Sequence, residues 1–160
     1  MHLQPILKSQ YHAALAMLRE AIIACPKNQW NAPPQPFWRV ACHTLFYTHF
    51  YLGTDDQSFV PWKHHIKNMH TITKSLPSNT KPLTRAQLLS YCKHCDKLVD
   101  KAVDTMDLSS PRCGFPWYPM GKLEHQLVNI RHIQHHAAIL SARVRALTGK
   151  GVDWVGKGSK

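Results

Sequence analysis

The sequence predicts an all-α fold, a four-helix bundle, and three observations carry that expectation. Between Leu123 and Leu147 apolar residues recur seven apart at Leu123, Ile130, Ala137 and Val144. Ile133, Leu140 and Leu147 each fall three residues after a member of that set, which writes one apolar stripe along a long helix. Three further segments of helical length are set off by proline and glycine, and the connections between the four are long.

Helix one is expected from about Leu3 to Ala24, with Leu7, Tyr11, Leu15, Leu18 and Ile22 facing inward and Pro26 stopping it. The proline-rich stretch from Asn28 to Pro36 is a connector. Helix two starts at Pro36 or Phe37, since proline is tolerated in a first turn, and ends at Gly53. It is apolar on most sides and should be largely buried. Thr54 to Pro82 reads as a long crossover, partly structured, carrying Pro61, Pro77, Pro82 and Lys63-His64-His65. Helix three has the clearest start signal. Thr84 and Gln87 form a capping box, with Leu83 and Leu88 at the two positions of a hydrophobic staple, and the helix runs to Asp104 or Met106. A Pro/Gly-rich connector, Ser109 to Pro119, precedes helix four. That helix begins near Gly121, where Glu124 occupies the capping-box position, and Gly149 ends it.

One domain accommodates 160 residues, so residues 1–150 are assigned to a single helical bundle and 151–160 to an irregular tail. The formal net charge of +11 raises nucleic acid, anionic membrane or an acidic substrate as partners. The basic residues are dispersed, with no long Lys/Arg run, which argues against nucleic acid. No apolar run approaches the roughly 18 residues of a membrane span. Five cysteines, an odd number, and an N-terminus without signal-peptide features favour a soluble protein of the cytoplasm. The 12 histidines exceed what packing requires of a chain this size.

His132 and His136 lie four apart and stack on one helix face, the spacing at which two imidazoles reach a single metal ion. The missing ligand should come from another buried helix. His43, mid-way along helix two among Val40, Ala41, Leu45 and Phe46, is the best candidate. A buried imidazole there must be hydrogen-bonded or coordinated. Taken singly, His43 fits a core histidine as well as a ligand, and an i,i+4 pair arises by chance in so His-rich a chain. Three neutral imidazoles would leave one or two coordination positions open, as in a reactive site, with Zn²⁺ the default and Ni²⁺ another suitable ion.

The segments Phe37-Trp-Arg-Val-Ala-Cys-His43-Thr-Leu and Asn129-Ile-Arg-His132-Ile-Gln-His-His136 resemble the DinB/YfiT-like superfamily, and the resemblance covers nearly the whole chain. It implies a bundle of up-down-down-up order, a long crossover between helices two and three, and often a homodimer. It also implies a divalent metal held by one His of the second helix and an HxxxH pair of the last, here His43, His132 and His136. Many members continue HxxxH with Arg-Gly-Gln, whereas this chain has Ala137-Ala138-Ile139. Characterised relatives include transferases and isomerases that use low-molecular-weight thiols.

Other residues are weighed against that site. His125, seven before His132, is either a group that supports a ligand, or an extra ligand, or decoration at the surface or helix start, the reading its distance favours. Tyr47, one turn beyond His43, either meets a bound ligand or packs in the core. His49 lies off the face of His43 and lines the mouth of the site or nothing. His135 points toward a neighbouring helix or solvent, and His64 and His65 toward solvent. Cys92 and Cys95 have CxxC spacing on a helix without a second pair, so they read as incidental thiols, and Cys42 as core. No carboxylate is well placed as general base; Asp55 and Asp56 are nearest in sequence.

The expected function is therefore metal-dependent chemistry on a small-molecule substrate, either thiol transfer or hydrolysis. The missing base tilts this toward a thiol from a cosubstrate. Its rivals are a non-catalytic metal-binding or decayed-site bundle and, less favoured, a basic nucleic-acid-binding protein.

Overall fold

A computed structural model describes residues 3–158. The first two residues of the expected domain and the last two of the expected tail lie outside the described residues. Four helices are present, α1 (Leu3–Ala24), α2 (Phe37–Tyr51), α3 (Arg85–Thr105) and α4 (Lys122–Thr148), with a single 3₁₀ turn at Lys27–Gln29. Among the described residues there is no strand.

The boundaries follow local chemistry. Thr84 Oγ1 accepts from the Gln87 amide at 3.2 Å while Gln87 Oε1 accepts from the Thr84 amide at 2.8 Å, the reciprocal capping box. Leu83 and Leu88 beside it are both buried. Gly121 caps α4 without a side-chain hydrogen bond. Gly149 terminates α4 at φ 79°, a left-handed turn open to glycine, and its amide donates to the Arg145 carbonyl at 2.8 Å.

Each helix packs on two others: α1 and α2 both lie against α3 and α4. Lys8 pairs with Asp104 at 2.5 Å and Arg85 reaches the Cys25 carbonyl, so α1 and α3 are antiparallel. Tyr11 meets Gln126 and Met17 meets Gln134, so α1 and α4 run together. His43 meets His132 and Tyr51 meets Gln126, so α2 opposes α4 and runs with α3. Residues 52–84, between the parallel α2 and α3, contain no helix but contribute Trp62, Met69 and Leu83 to the core. The Trp62 ring lies flat on Tyr91 at 4.3 Å.

The inward face of α1 is as apolar as its spacing implies, with Leu7, Tyr11, Leu15, Leu18 and Ile22 all buried. In α4 the apolar stripe is buried at Ile133, Ala137, Leu140 and Val144, while Leu147 at the helix end is exposed. Further toward its N-terminus α4 buries Lys122, His125, Gln126 and Asn129. This seam is polar and bonded in part: Gln126 Nε2 donates to the Tyr51 carbonyl at 3.2 Å and Asn129 Nδ2 to the Thr48 carbonyl at 3.3 Å, while Asn129 Oδ1 and His125 Nε2 have no hydrogen-bond partner. Tyr11 donates to Gln126 Oε1 at 2.7 Å.

Residues 151–158 are irregular yet docked. Val152 and Val155 pack on the core, and the Gly158 amide donates to the Ser9 carbonyl of α1 at 3.1 Å.

Candidate metal centre

The polar seam leads to His43 on α2 and to His132 and His136 on α4, whose rings meet in pairs. Ring centroids stand 5.0 Å apart for His43 and His132, 4.7 Å for His43 and His136, and 4.7 Å for His132 and His136. Each ring offers a nitrogen, and these three atoms lie within 4.8 Å of one another. The Nε2 atoms of His43 and His132 are 3.0 Å apart. Two imidazoles on one tetrahedral zinc stand about 3.3 Å apart by their nitrogens, so this pair is spaced for a common ion.

Hydrogen bonding settles which His43 nitrogen is available. His43 Nδ1 lies 2.6 Å from the main-chain carbonyl of His70, an acceptor only, so Nδ1 carries the proton and donates. Nε2 then keeps a lone pair directed at His132 and His136, the arrangement in which a carbonyl orients a metal-binding imidazole. His136 is 7% exposed, and its Nδ1, like that of His132, is buried without a hydrogen-bond partner. Burial lowers the pKa of all three. It brings His132 to about 3, with His136 and His43 adding to the effect, and His136 to about 4, with His43 and His135 adding. The His70 carbonyl partly offsets the lowering at His43. The three rings are thus neutral at pH 7, and a neutral imidazole is the ligating form.

No family model matches this chain, and neither a curated protein nor a solved structure does.

Tyr47 of α2 walls the centre, its ring edge-on to His43 at 4.9 Å and to His132 at 5.6 Å. His132 also opens onto a surface hollow along α4, lined by Val128, Arg131, Gln134, His135 and Ala138. His49 and His125 are not brought to the three rings. His49 follows His43 by six residues and is turned about 120° around the helix. Its Nδ1 lies 3.2 Å from the Tyr91 hydroxyl, and its ring contacts Phe59 and His94. His125 is neither a surface group nor adjacent to the centre. Its ring is fully buried among Tyr51, Phe115 and Tyr118, two of which belong to the connector before α4 and fold back over it.

His135 is exposed, as the wheel implies, but His64 and His65 are half-buried. His65 and His70 stack on one another at 5.4 Å, and both lie over Phe46. His70 is the residue that sequence reading misses. It acts here through its carbonyl, which no side-chain pattern encodes.

Among the described residues the cluster at the centre consists of histidines alone. Asp55 caps its own loop, accepting from the Gln57 and Ser58 amides at 3.0 and 2.8 Å, and the bonds from Ser58 hold its carboxyl below the usual range. Among the described residues no carboxylate hydrogen-bonds to the three histidines. All five cysteines are free and buried. Burial pushes the thiols of Cys42 and Cys92 up to about 12, so neither is a thiolate at neutral pH.

Proposed function

We propose that this chain is a DinB-like metal-binding protein that holds one divalent first-row ion, zinc or nickel, on His43, His132 and His136. On this reading it acts on a small molecule as a metal-dependent thiol transferase, with hydrolysis as the alternative reaction. The observation that carries the reading is the Nδ1–H bond from His43 to the His70 carbonyl, which turns the His43 lone pair toward the HxxxH pair. The common direction of α1 with α4 and of α2 with α3 supports the same family reading, because that is the order the resemblance implies.

When bound, a divalent ion supplies Lewis acidity that stabilises negative charge on a donor atom brought to it. The protein's own contribution is positioning. His43 is fixed by its carbonyl bond, His132 and His136 by their shared helix face, and Tyr47 closes one side. Of the three ligands His132 borders the hollow along α4, and on this reading a small molecule approaches from that side. With no carboxylate hydrogen-bonded to the three histidines and the thiols of Cys42 and Cys92 pushed up by burial, the reading calls for a nucleophile from a cosubstrate. A thiolate is a strong nucleophile that a divalent ion can hold directly, whereas hydrolysis at a metal usually also wants a base. The DinB-like reading also carries the expectation of a homodimer, measurable by sedimentation.

Metal content of untagged protein at about pH 7.5, where imidazole is neutral, tests the proposal. Close to one ion per chain is expected, lost in a His132→Ala/His136→Ala double variant. Protein that is empty and refuses added Zn²⁺ and Ni²⁺ would refute it.

A second reading rests on the 3.0 Å contact itself, since a hydrogen bond between His132 and His43 would give a self-contained, non-catalytic core. It leaves His136 buried with no hydrogen bond from Nδ1, a cost of about 1–3 kcal/mol. The same metal measurement separates the two.

A further inference from the structure

Arg39 lies four residues before His43, so both side chains leave α2 from one face. Its guanidinium Nη2 donates to the main-chain carbonyls of Thr71 at 2.5 Å, Asn68 at 3.5 Å and Lys74. Arg39 is half-buried, and its hydrogen bonds all go to main-chain carbonyls of this one segment.

The segment it grips is a compact unit. The Met69 amide bonds back to the Ile66 carbonyl at 3.1 Å, Thr71 to Asn68 at 3.1 Å and Lys74 to Thr71 at 3.3 Å. Asn68 turns the chain at φ 65°, and its Nδ2 closes the unit on the Ser75 carbonyl at 3.2 Å. Met69, buried to 1% exposure, roots it in the core. His70 sits between the gripped carbonyls, and its own carbonyl is the one that accepts from His43 Nδ1. All three contacts fall on Nη2, whose two N–H groups are shared among the carbonyls of this one turn, so the guanidinium acts as a charged pin set into the segment.

We propose that Arg39 is a positioning residue for the metal centre. By clamping residues 68–74 it holds the His70 carbonyl in place, and through that carbonyl it fixes the tautomer and direction of His43. The inference rests on the three-histidine reading above but concerns a residue that touches none of the three rings in any ring contact or hydrogen bond.

Two measurements on Arg39→Met and Arg39→Lys test it, with Lys67→Ala, an exposed position in the same segment, as control. The first is Co²⁺ titration, read by the visible d–d bands of the bound ion. Loss of an outer group that orients a ligand lowers affinity by about 10- to 100-fold, so Arg39→Met should show that loss with altered bands. Arg39→Lys should fall between it and the parent, and Lys67→Ala should match the parent. The second is metal-free: the imidazole Nδ1–H resonance of His43, which a carbonyl bond protects from exchange, should be lost or broadened in Arg39→Met. Folded Arg39→Met with parental Co²⁺ affinity, bands and resonance would overturn the inference and leave the metal centre standing. A parent that takes up no Co²⁺ would overturn the metal reading, while the His43 resonance would still decide whether Arg39 positions the ring. If Arg39→Met fails to fold by circular dichroism, Arg39→Lys carries both measurements, and parental values in it would count against the inference.

Discussion

Replacing His125 with Phe should flatten the acid limb of the protein's stability curve. The ring is fully buried, with centroids 4.7 Å from Tyr51, 4.9 Å from Phe115 and 5.1 Å from Tyr118. Its Nε2 has no hydrogen-bond partner. Burial, aided by the nearby Lys122 ammonium, lowers its pKa from 6.5 to about 4. Between those values the unfolded chain takes up a proton that the folded chain refuses. Stability from this group is therefore intact above pH ~6.5 and falls as the pH drops toward ~4, below which the loss is complete. At about 1.4 kcal/mol per pH unit the window amounts to at most about 3.5 kcal/mol. Phe preserves the aromatic packing and removes the titration. Urea unfolding of both proteins at several values between pH ~7.5 and ~4.5 should show the parent losing more stability than His125→Phe, with the gap widening as the pH falls. Other histidines, His49, His132 and His136 among them, also have lowered pKa values and lower both curves alike. Parallel curves for the two proteins would refute the reasoning, because His125 would then be reaching solvent or a proton acceptor in the folded state.

Gly114 stands at φ 92°, and a Cβ there would come within 2.1 Å of the Thr54 carbonyl oxygen. Gly114→Ala should therefore cost about 3 kcal/mol or more, and an unchanged thermal midpoint would show that the connector before α4 can shift freely. Thr84→Ala removes one half of the capping box and should lower the urea midpoint by the equivalent of about 1 kcal/mol, with no change in the slope of unfolding against urea. Zinc at about 100 times its Kd should stabilise the folded protein by about 2.7 kcal/mol, read as a rise in melting temperature. His136→Ala should abolish that rise, and its persistence would place the ion elsewhere.

What the sequence makes legible is local. The capping box at Thr84, the glycine stop at Gly149 and the inward face of α1 are each encoded within a few residues, and the structure has them where their chemistry puts them. The stripe of α4 is legible only over its second half. Toward the N-terminus the buried positions are His125, Gln126 and Asn129, which hydropathy assigns to solvent. They are inside because α2 offers them main-chain carbonyls at Tyr51 and Thr48, and because Phe115 and Tyr118 return over the top. Partners that distant leave no mark on periodicity. The convergence of His43 with His132 and His136 is visible as spacing within one helix plus a candidate from another. The His70 carbonyl and the Arg39 grip are invisible, since main-chain acceptors carry no residue identity.

The hydrogen bonds between α2 and α4 also fix how the three histidines face one another. A seam of aliphatic side chains tolerates small slides, because one methyl contact replaces another. Here Gln126 and Asn129 are each matched to one carbonyl, and a displacement by one turn, about 5.4 Å, would orphan both of them together. The two helices therefore interlock in a single alignment, like teeth of different pitch. His43 is thereby set opposite His132 and His136 by hydrogen bonds that involve no ion, so a cation taken up as proposed would meet three imidazoles already facing one another.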